Sequence, residues 1–217
     1  MFEFNFSNIT TLTRNTSSYP ITLAEVKARS EYFRINPTDT SLDSYINLQI
    51  IPKVVYDWEK STKYLLLDQT LQAFVPNIRD VNIKELNIGI CNLNVRQVSN
   101  IKYYPKKWNY SDTKLTLETD KYFLLPESGR FPIQFNIREE YLPFTIFSMT
   151  NNLEANYSAG FQNNNFSTIN PLIVDALATQ AAMAIDARTG FCPEFYSDIV
   201  GEVYANYTMQ QQEVVII

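Results

Sequence analysis

Two stretches of helical periodicity open the chain, and a long run of strand-like alternation follows them. From Thr22 to about Arg34 the apolar positions Leu23, Val26, Ala28, Tyr32 and Phe33 recur at three- and four-residue spacing, which predicts a short amphipathic helix over 22–34. Between Ser41 and Lys60, Leu42, Tyr45, Ile46, Ile50, Ile51, Val54, Val55 and Trp58 keep that spacing and predict the central core helix, 41–60. Pro52 falls inside it. A proline there removes a hydrogen bond and crowds the carbonyl four residues earlier, so either a kink or two stacked helices is expected, the kink being preferred. Both helices carry a start signal, Thr22-Leu-Ala-Glu25 and Thr40-Ser-Leu-Asp43. In each, the threonine hydroxyl can accept from the amide three residues on, while the acidic side chain at that position reaches back.

From Lys63 the texture changes to β-branched and aromatic runs separated by polar turns: Leu71 to Val75, Leu86 to Ile90, Val95 to Tyr104, Lys114 to Leu125, Phe131 to Arg138 and Phe144 to Phe161. Period-two alternation in Leu115/Leu117 and Ile133/Phe135/Ile137 fits a half-buried sheet face. The Gln162 to Asn165 run reads as a solvated loop that hands the chain back to helix. Asn170-Pro171 then starts a third helix, 171–189, with Leu172, Ile173, Ala176, Leu177, Gln180, Ala181, Ala184 and Ile185 on its packed side and Gly190 as its stop. A weaker helical pattern spans 193–206. Residues 1–19 lack helical period and read as an extended arm.

The expected class is therefore α+β: a small helical bundle with a β-rich insertion over about 64–161 and extended arms at both ends. As domains, this gives an arm at 1–19, a core at 20–190 and a C-terminal helix and tail at 191–217.

Composition narrows the function more by exclusion than by motif. At 217 residues and 45% apolar content the chain can bury a proper core. The formal charge of −5, with both signs interspersed, lacks the cationic footprint of a dedicated nucleic-acid binder. Histidine is absent, which removes the commonest general base, metal ligand and triad orienter together. The five glycines never cluster into a phosphate-binding loop. Cys91 and Cys192 have neither Cys-x-x-Cys spacing nor a basic neighbour, so inert thiols are expected. Glu139-Glu140 reads as a solvated turn, and Lys102 to Trp108, with Tyr103 and Tyr104, as a hairpin tip. No catalytic, cofactor or metal residue is assigned, and no enzyme is expected. The first residues lack a signal-peptide pattern and no apolar run suffices for a membrane span, so a soluble, unexported product is expected. The stretch Glu213-Val-Val-Ile-Ile217 is costly to leave bare in water. Val214, Val215, Ile216 and Ile217 are accordingly the candidate partner-binding residues, as a strand of the chain's own sheet or, preferably, one that adds to a partner's sheet edge.

Several segments resemble the tailed-phage head–tail connector proteins, also termed adaptor or head-completion proteins. They are Ile21-Thr-Leu-Ala-Glu-Val-Lys27, Tyr56-Asp-Trp-Glu-Lys-Ser-Thr62, Val95-Arg-Gln-Val-Ser-Asn-Ile-Lys-Tyr-Tyr104, Asp120-Lys-Tyr-Phe-Leu-Leu125 with Gly129-Arg-Phe131, and Leu153-Glu-Ala-Asn-Tyr-Ser-Ala-Gly-Phe161. Their order and spacing cover about residues 20–190. The chain departs from the family pattern in the arm 1–19, in Pro52 and after Gly190.

The resemblance implies a helical bundle with a β-rich insertion, assembled as a homo-oligomeric ring, usually a dodecamer, at the virion head–tail junction. Such a protein is made in the bacterial host cytoplasm. Its partners would be the portal protein and the next tail or stopper protein, with DNA passing through the lumen without sequence-specific binding and with no membrane and no cofactor. Two other readings stay open: a stopper or tail-completion ring, and a carbohydrate-binding β-sandwich module with stacked aromatics on one face.

Overall fold

A computed structural model describes residues 2–5, 8–31, 36–75, 85–89, 94–103, 115–117, 122–125, 134–138 and 153–186. The α+β class expected from the sequence is what is found. The chain divides into two compact units, one comprising Met1–Arg14 and Asp68–Gly160 and the other Asn15–Leu67 and Phe161–Ile217.

The helical unit begins as its sequence dictates. Helix α1, Leu23–Lys27, is capped by Thr22, whose Oγ1 accepts from the Glu25 amide at 3.3 Å while a Glu25 carboxylate oxygen accepts from the Thr22 amide at 2.6 Å. A 3₁₀ turn, Ala28–Glu31, continues it. The rest of the expected helix, residues 32–34, lies outside the described residues.

The second start differs from expectation. The helix opens as α2, Asp43–Tyr45, with Leu42 at the N-cap and no side-chain cap. The Asp43 amide, which the Thr40 hydroxyl would have to accept from, donates to the Thr40 carbonyl at 3.2 Å, and in the turn before it Asp39 Oδ1 accepts from the Ser41 amide at 2.8 Å. Asp43 pairs instead with Lys27, at 2.5 Å, and the same ammonium donates to the Asp39 carbonyl at 2.8 Å.

Pro52 is accommodated in a way its pattern did not predict. A five-residue π-helical segment, Ile46–Ile50, precedes it and leads into α3, Ile51–Thr62, which holds Pro52 in its first turn. Widening that turn relieves the crowding that a proline imposes on the preceding carbonyls. It also lets Ile46, Ile50 and Ile51 all face inward, with Val54, Val55 and Trp58 beyond them; all six are buried. Leu42, assigned to the core by periodicity, is 40% exposed.

Helix α3 ends on Lys63, which adopts the left-handed conformation at φ 56°. Thr62 Oγ1 donates to the Trp58 carbonyl at 2.8 Å and accepts from the Tyr64 amide at 3.1 Å. The buried Glu59 then accepts from the amides of Leu66 and Leu67, at 2.7 and 2.8 Å through one carboxylate oxygen. Two backbone donors that would be stranded after the helix are thereby satisfied.

The chain re-enters this unit at Phe161. The asparagine run expected as a solvated loop is partly inside: Asn164, in the 3₁₀ turn Gln162–Asn164, is buried and donates to the carbonyls of Asn15 and Ser18, each at 3.0 Å. Asn163 and Asn164 both take positive φ, which asparagine tolerates better than most residues. Helix α4, Pro171–Asp186, starts with the Asn170 side chain accepting from the Leu172 amide at 3.0 Å. It buries Ile173, Ala176, Leu177, Ala181 and Ile185 as expected, but also Ala178, Thr179 and Ala182, while Leu172 and Ala184 are exposed. A helix buried on most sides is central rather than amphipathic.

The β unit holds two sheets. β1 (Phe2–Asn5), β4 (Glu85–Gly89), β8 (Gln134–Arg138) and β7 (Tyr122–Leu125) form one, in the order β1-β4-β8-β7, with β1 and β4 parallel. The other has the order β2-β3-β9-β5-β6, from β2 (Asn8–Arg14), β3 (Gln69–Val75), β9 (Leu153–Ala159), β5 (Val95–Tyr103) and β6 (Leu115–Leu117), and is antiparallel throughout. The extended N-terminal stretch thus supplies one strand to each sheet. The run Lys114 to Leu125, which reads as one strand, supplies β6 to one sheet and β7 to the other.

Register explains the burial in the five-stranded sheet. Ala73, Ala155, Ile101 and Leu117 lie opposite one another across four strands, and Leu71, Tyr157 and Val98 form the adjacent row; all are buried. Val98 and Ile101 are three apart and would face opposite sides of a regular strand. A register shift between Val98 and Asn100 restores them to one face.

Candidate assembly surfaces

The residues proposed from sequence for partner binding, Val214, Val215, Ile216 and Ile217, lie outside the described residues, as do the predicted helix 193–206, Cys91, Cys192 and Glu139-Glu140. Of the Lys102 to Trp108 cluster only Lys102 has a described side chain. It points to Glu154 of β9, with its Nζ 3.9 Å from the carboxylate, and so serves the sheet rather than a tip.

Among the described residues, no group of acidic or cysteine side chains has metal-ligand geometry, and no helix is long and apolar enough to cross a membrane. Among the described residues, the two buried carboxylates both have structural partners. Glu59 closes the turn after α3. Glu154 accepts from Gln72 Nε2 of β3 at 2.8 Å and faces Lys102 of β5, tying three neighbouring strands together. Asn156 donates to Asn100 Oδ1 at 3.1 Å on the same sheet face. Rows such as Thr10, Gln72, Asn156 and Asn100 run across that face, neutral and polar from strand to strand.

The helical unit shows a different kind of surface. The outer side of α3 and its π turn carries Leu48, Pro52 and Tyr56 at four-residue intervals, with Lys53 and Lys60 beside them. Leu48 is 76% exposed and Tyr56 50%. Sequence reasoning passed over this stripe because it lies out of phase with the core positions. Its signal was that same four-residue recurrence of large side chains on the polar side of the wheel. At the loop before the helix, the Ser41 amide and hydroxyl, helped by Lys27, hold the Asp39 carboxyl below its ordinary range, so this exposed turn keeps its negative charge into mild acid. Arg29 pairs with Asp175, joining the turn after α1 to the start of α4. Nothing in these surfaces brings a nucleophile and a base together; what they offer is contact.

No family model matches the chain, and no curated protein matches it. Solved structures do. A chain in the virion of a native gene transfer agent (GTA) particle aligns over 89% of this chain and 93% of its own length, with TM-score 0.58 and 11% identity. A chain in the neck of an empty GTA particle, computed with C6 symmetry, aligns over 81% and 82%, with TM-score 0.56 and 12% identity. A third, from the neck of a native GTA particle computed with C12 symmetry, aligns over 80% and 83%, with TM-score 0.47 and 14% identity. At these identities the likeness is one of fold, and it spans most of both chains in the first two cases.

Proposed function

We propose that the chain is a structural subunit of a phage-like particle neck. In this reading it forms a head–tail connector (adaptor) ring that docks on the portal, extends the DNA channel and presents a platform to the next tail component. The observation that carries the reading is the fold shared along 89% of the chain with a protein of the GTA virion, together with the fold shared with a neck protein of the same kind of particle. The connector-like segments between residues 20 and 190 agree with it. A ring subunit needs complementary surfaces rather than acid and base groups, and its net charge of −5 lets DNA pass without a grip on the phosphates.

Portal attachment falls to Val214, Val215, Ile216 and Ile217. Burial of these side chains and backbone pairing at a sheet edge give each subunit a weak contact, which the ring multiplies. Co-sedimentation with a purified portal ring tests this, with the full chain beside one lacking residues 210–217. The full chain is expected to co-sediment and the shortened one to lose at least about tenfold in affinity, a size that multivalent contacts readily produce, with an unchanged melting temperature. Equal co-assembly of both removes the tail from the portal contact. A full chain that binds a preformed connector ring but not the portal is a stopper.

A further inference from the structure

Among the described strands, β2 stands at the end of its sheet, and Thr10, Thr11, Leu12 and Thr13 are all exposed, Leu12 to 49%. Consecutive strand residues point to opposite faces, so exposure of four in a row means that neither face of this stretch packs into a core. Ile9 and Arg14, toward its ends, are half-buried. What holds the middle of the strand is its backbone pairing with β3, and that ladder shifts between Thr11 and Thr13, where Leu12 is skipped. Strand β1 likewise stands at the end of the other sheet, paired with β4. β1 and β2 therefore form an arm that can leave without separating any other pair of described strands.

The root of the arm is fixed, by contrast. The chain passes from the β unit to the helical unit between Arg14 and Asn15. Directly after that crossing, the buried Asn164 side chain donates to the carbonyls of Asn15 and Ser18, and Pro20 and Ile21 are buried. An arm anchored at its root in one unit, and held along its length by edge pairing in the other, has the construction of an exchangeable element.

We infer that this arm is exchanged between copies of the chain: β1 and β2 of one copy take their places on β4 and β3 of the next. The inference rests on the ring reading above and adds how neighbours are tied together. The occupant of the β3 edge is set by the structure itself, because the segment seated there is β2 and a second copy supplies the identical strand. Every pairing from Asn8 opposite Phe74 to Arg14 opposite Gln69 is kept, so exchange gives up no contact along the sheet while it links two copies. A strand passed from each copy to the next is a heterologous contact, which closes into a ring. Neighbours held side by side in that ring present the arm at a high local concentration.

A disulfide across the β2–β3 ladder reads which chain supplies the strand. Thr10 lies opposite Gln72 and Thr13 opposite Thr70, within reach of such a bond. In a Cys91→Ser/Cys192→Ser background, the pairs Thr10→Cys/Gln72→Cys and Thr13→Cys/Thr70→Cys are each assembled, oxidised, and run denatured without reductant. The register is the same with or without exchange, so the bond forms either way and only its span differs. Exchange is expected to give a covalent ladder that ends at the ring size and collapses to one band on reduction, from at least one of the two pairs, and no ladder from any of the four single variants. Rings whose chains all run as internally bonded monomers overturn the inference and leave the ring reading standing. A ladder from a single variant overturns it too, since like positions of two copies then meet. Free thiols throughout both pairs contradict the pairing on which it depends. A wild-type chain that forms no ring, alone or with portal, overturns both readings.

Discussion

In the helical unit the buried side chains form one connected cluster, from Ile21 and Val26 through Ile46 and Trp58 to Ile185. In the five-stranded sheet they form rows with one residue per strand, as in Ala73, Ala155, Ile101 and Leu117. The polar groups divide in the same way. Glu59 holds two backbone amides that have nowhere else to go, whereas Glu154 holds the side chains of Gln72 and Lys102, which can swing toward water. The helical unit is thus fixed by burial and by backbone satisfaction at its corners. The sheet is fixed by register, with its polar side chains as cross-ties. A body that must keep its shape while copies press against it is better built the first way.

Point substitutions can break this contrast. The largest effect is expected from Trp58→Ala, which empties the centre of the helical cluster and should cost about 3–5 kcal/mol in denaturant unfolding; a loss near 1 kcal/mol would mean that the cluster collapses around the gap and is not the rigid body described. Next comes Glu59→Ala, with a loss of roughly 2–4 kcal/mol from two buried amides left without their acceptor. Its counterpart Glu154→Ala should cost only about 1 kcal/mol. If urea titrations rank these two the other way, the distinction between backbone and side-chain satisfaction fails.

Smaller changes sharpen the account of the helix starts. Thr22→Ala should lose about 1 kcal/mol, a typical cap value, while Thr40→Ala should leave stability almost unchanged. Equal losses would restore Thr40 as a cap. The smallest effect belongs to Asp39. Its carboxyl titrates below the ordinary range in the folded chain, so its contribution is present above the unfolded value and disappears as pH falls through the folded one. Melting temperatures of wild type and Asp39→Asn should therefore differ slightly near neutrality and converge in acid. A gap that widens in acid would reverse the sign.

The cap at Thr22 was legible because everything it needs lies within four residues. The second start has the same spacing and fails, since the Asp43 amide that the Thr40 hydroxyl would need donates to the Thr40 carbonyl instead. The core of α3 was legible from its period, but the π turn was not: a proline announces trouble in a helix without saying which neighbouring turn will widen. Helix α4 misled in another way, because alanines fit against any neighbour and their spacing does not single out one face. Leu172 was placed inside on periodicity, although it stands in the first turn, where little packs over it. Strand positions were largely readable, yet their partners were not, because pairing such as β2 with β3 or β3 with β9 joins residues far apart in the chain. The shift that turns Val98 and Ile101 to one face has no local mark at all. For the candidate site, sequence pointed to Val214 through Ile217, whereas the described surface adds a stripe on α3 that is visible only once the core phase is known.

The central claim is that the helical unit is the body of a ring. Image symmetry and native mass of the purified chain, alone and mixed with a portal ring, test it most directly. The account predicts a closed cyclic oligomer that stacks coaxially on the portal, with the helical units in lateral contact. A chain that stays monomeric at every concentration and ignores the portal contradicts it.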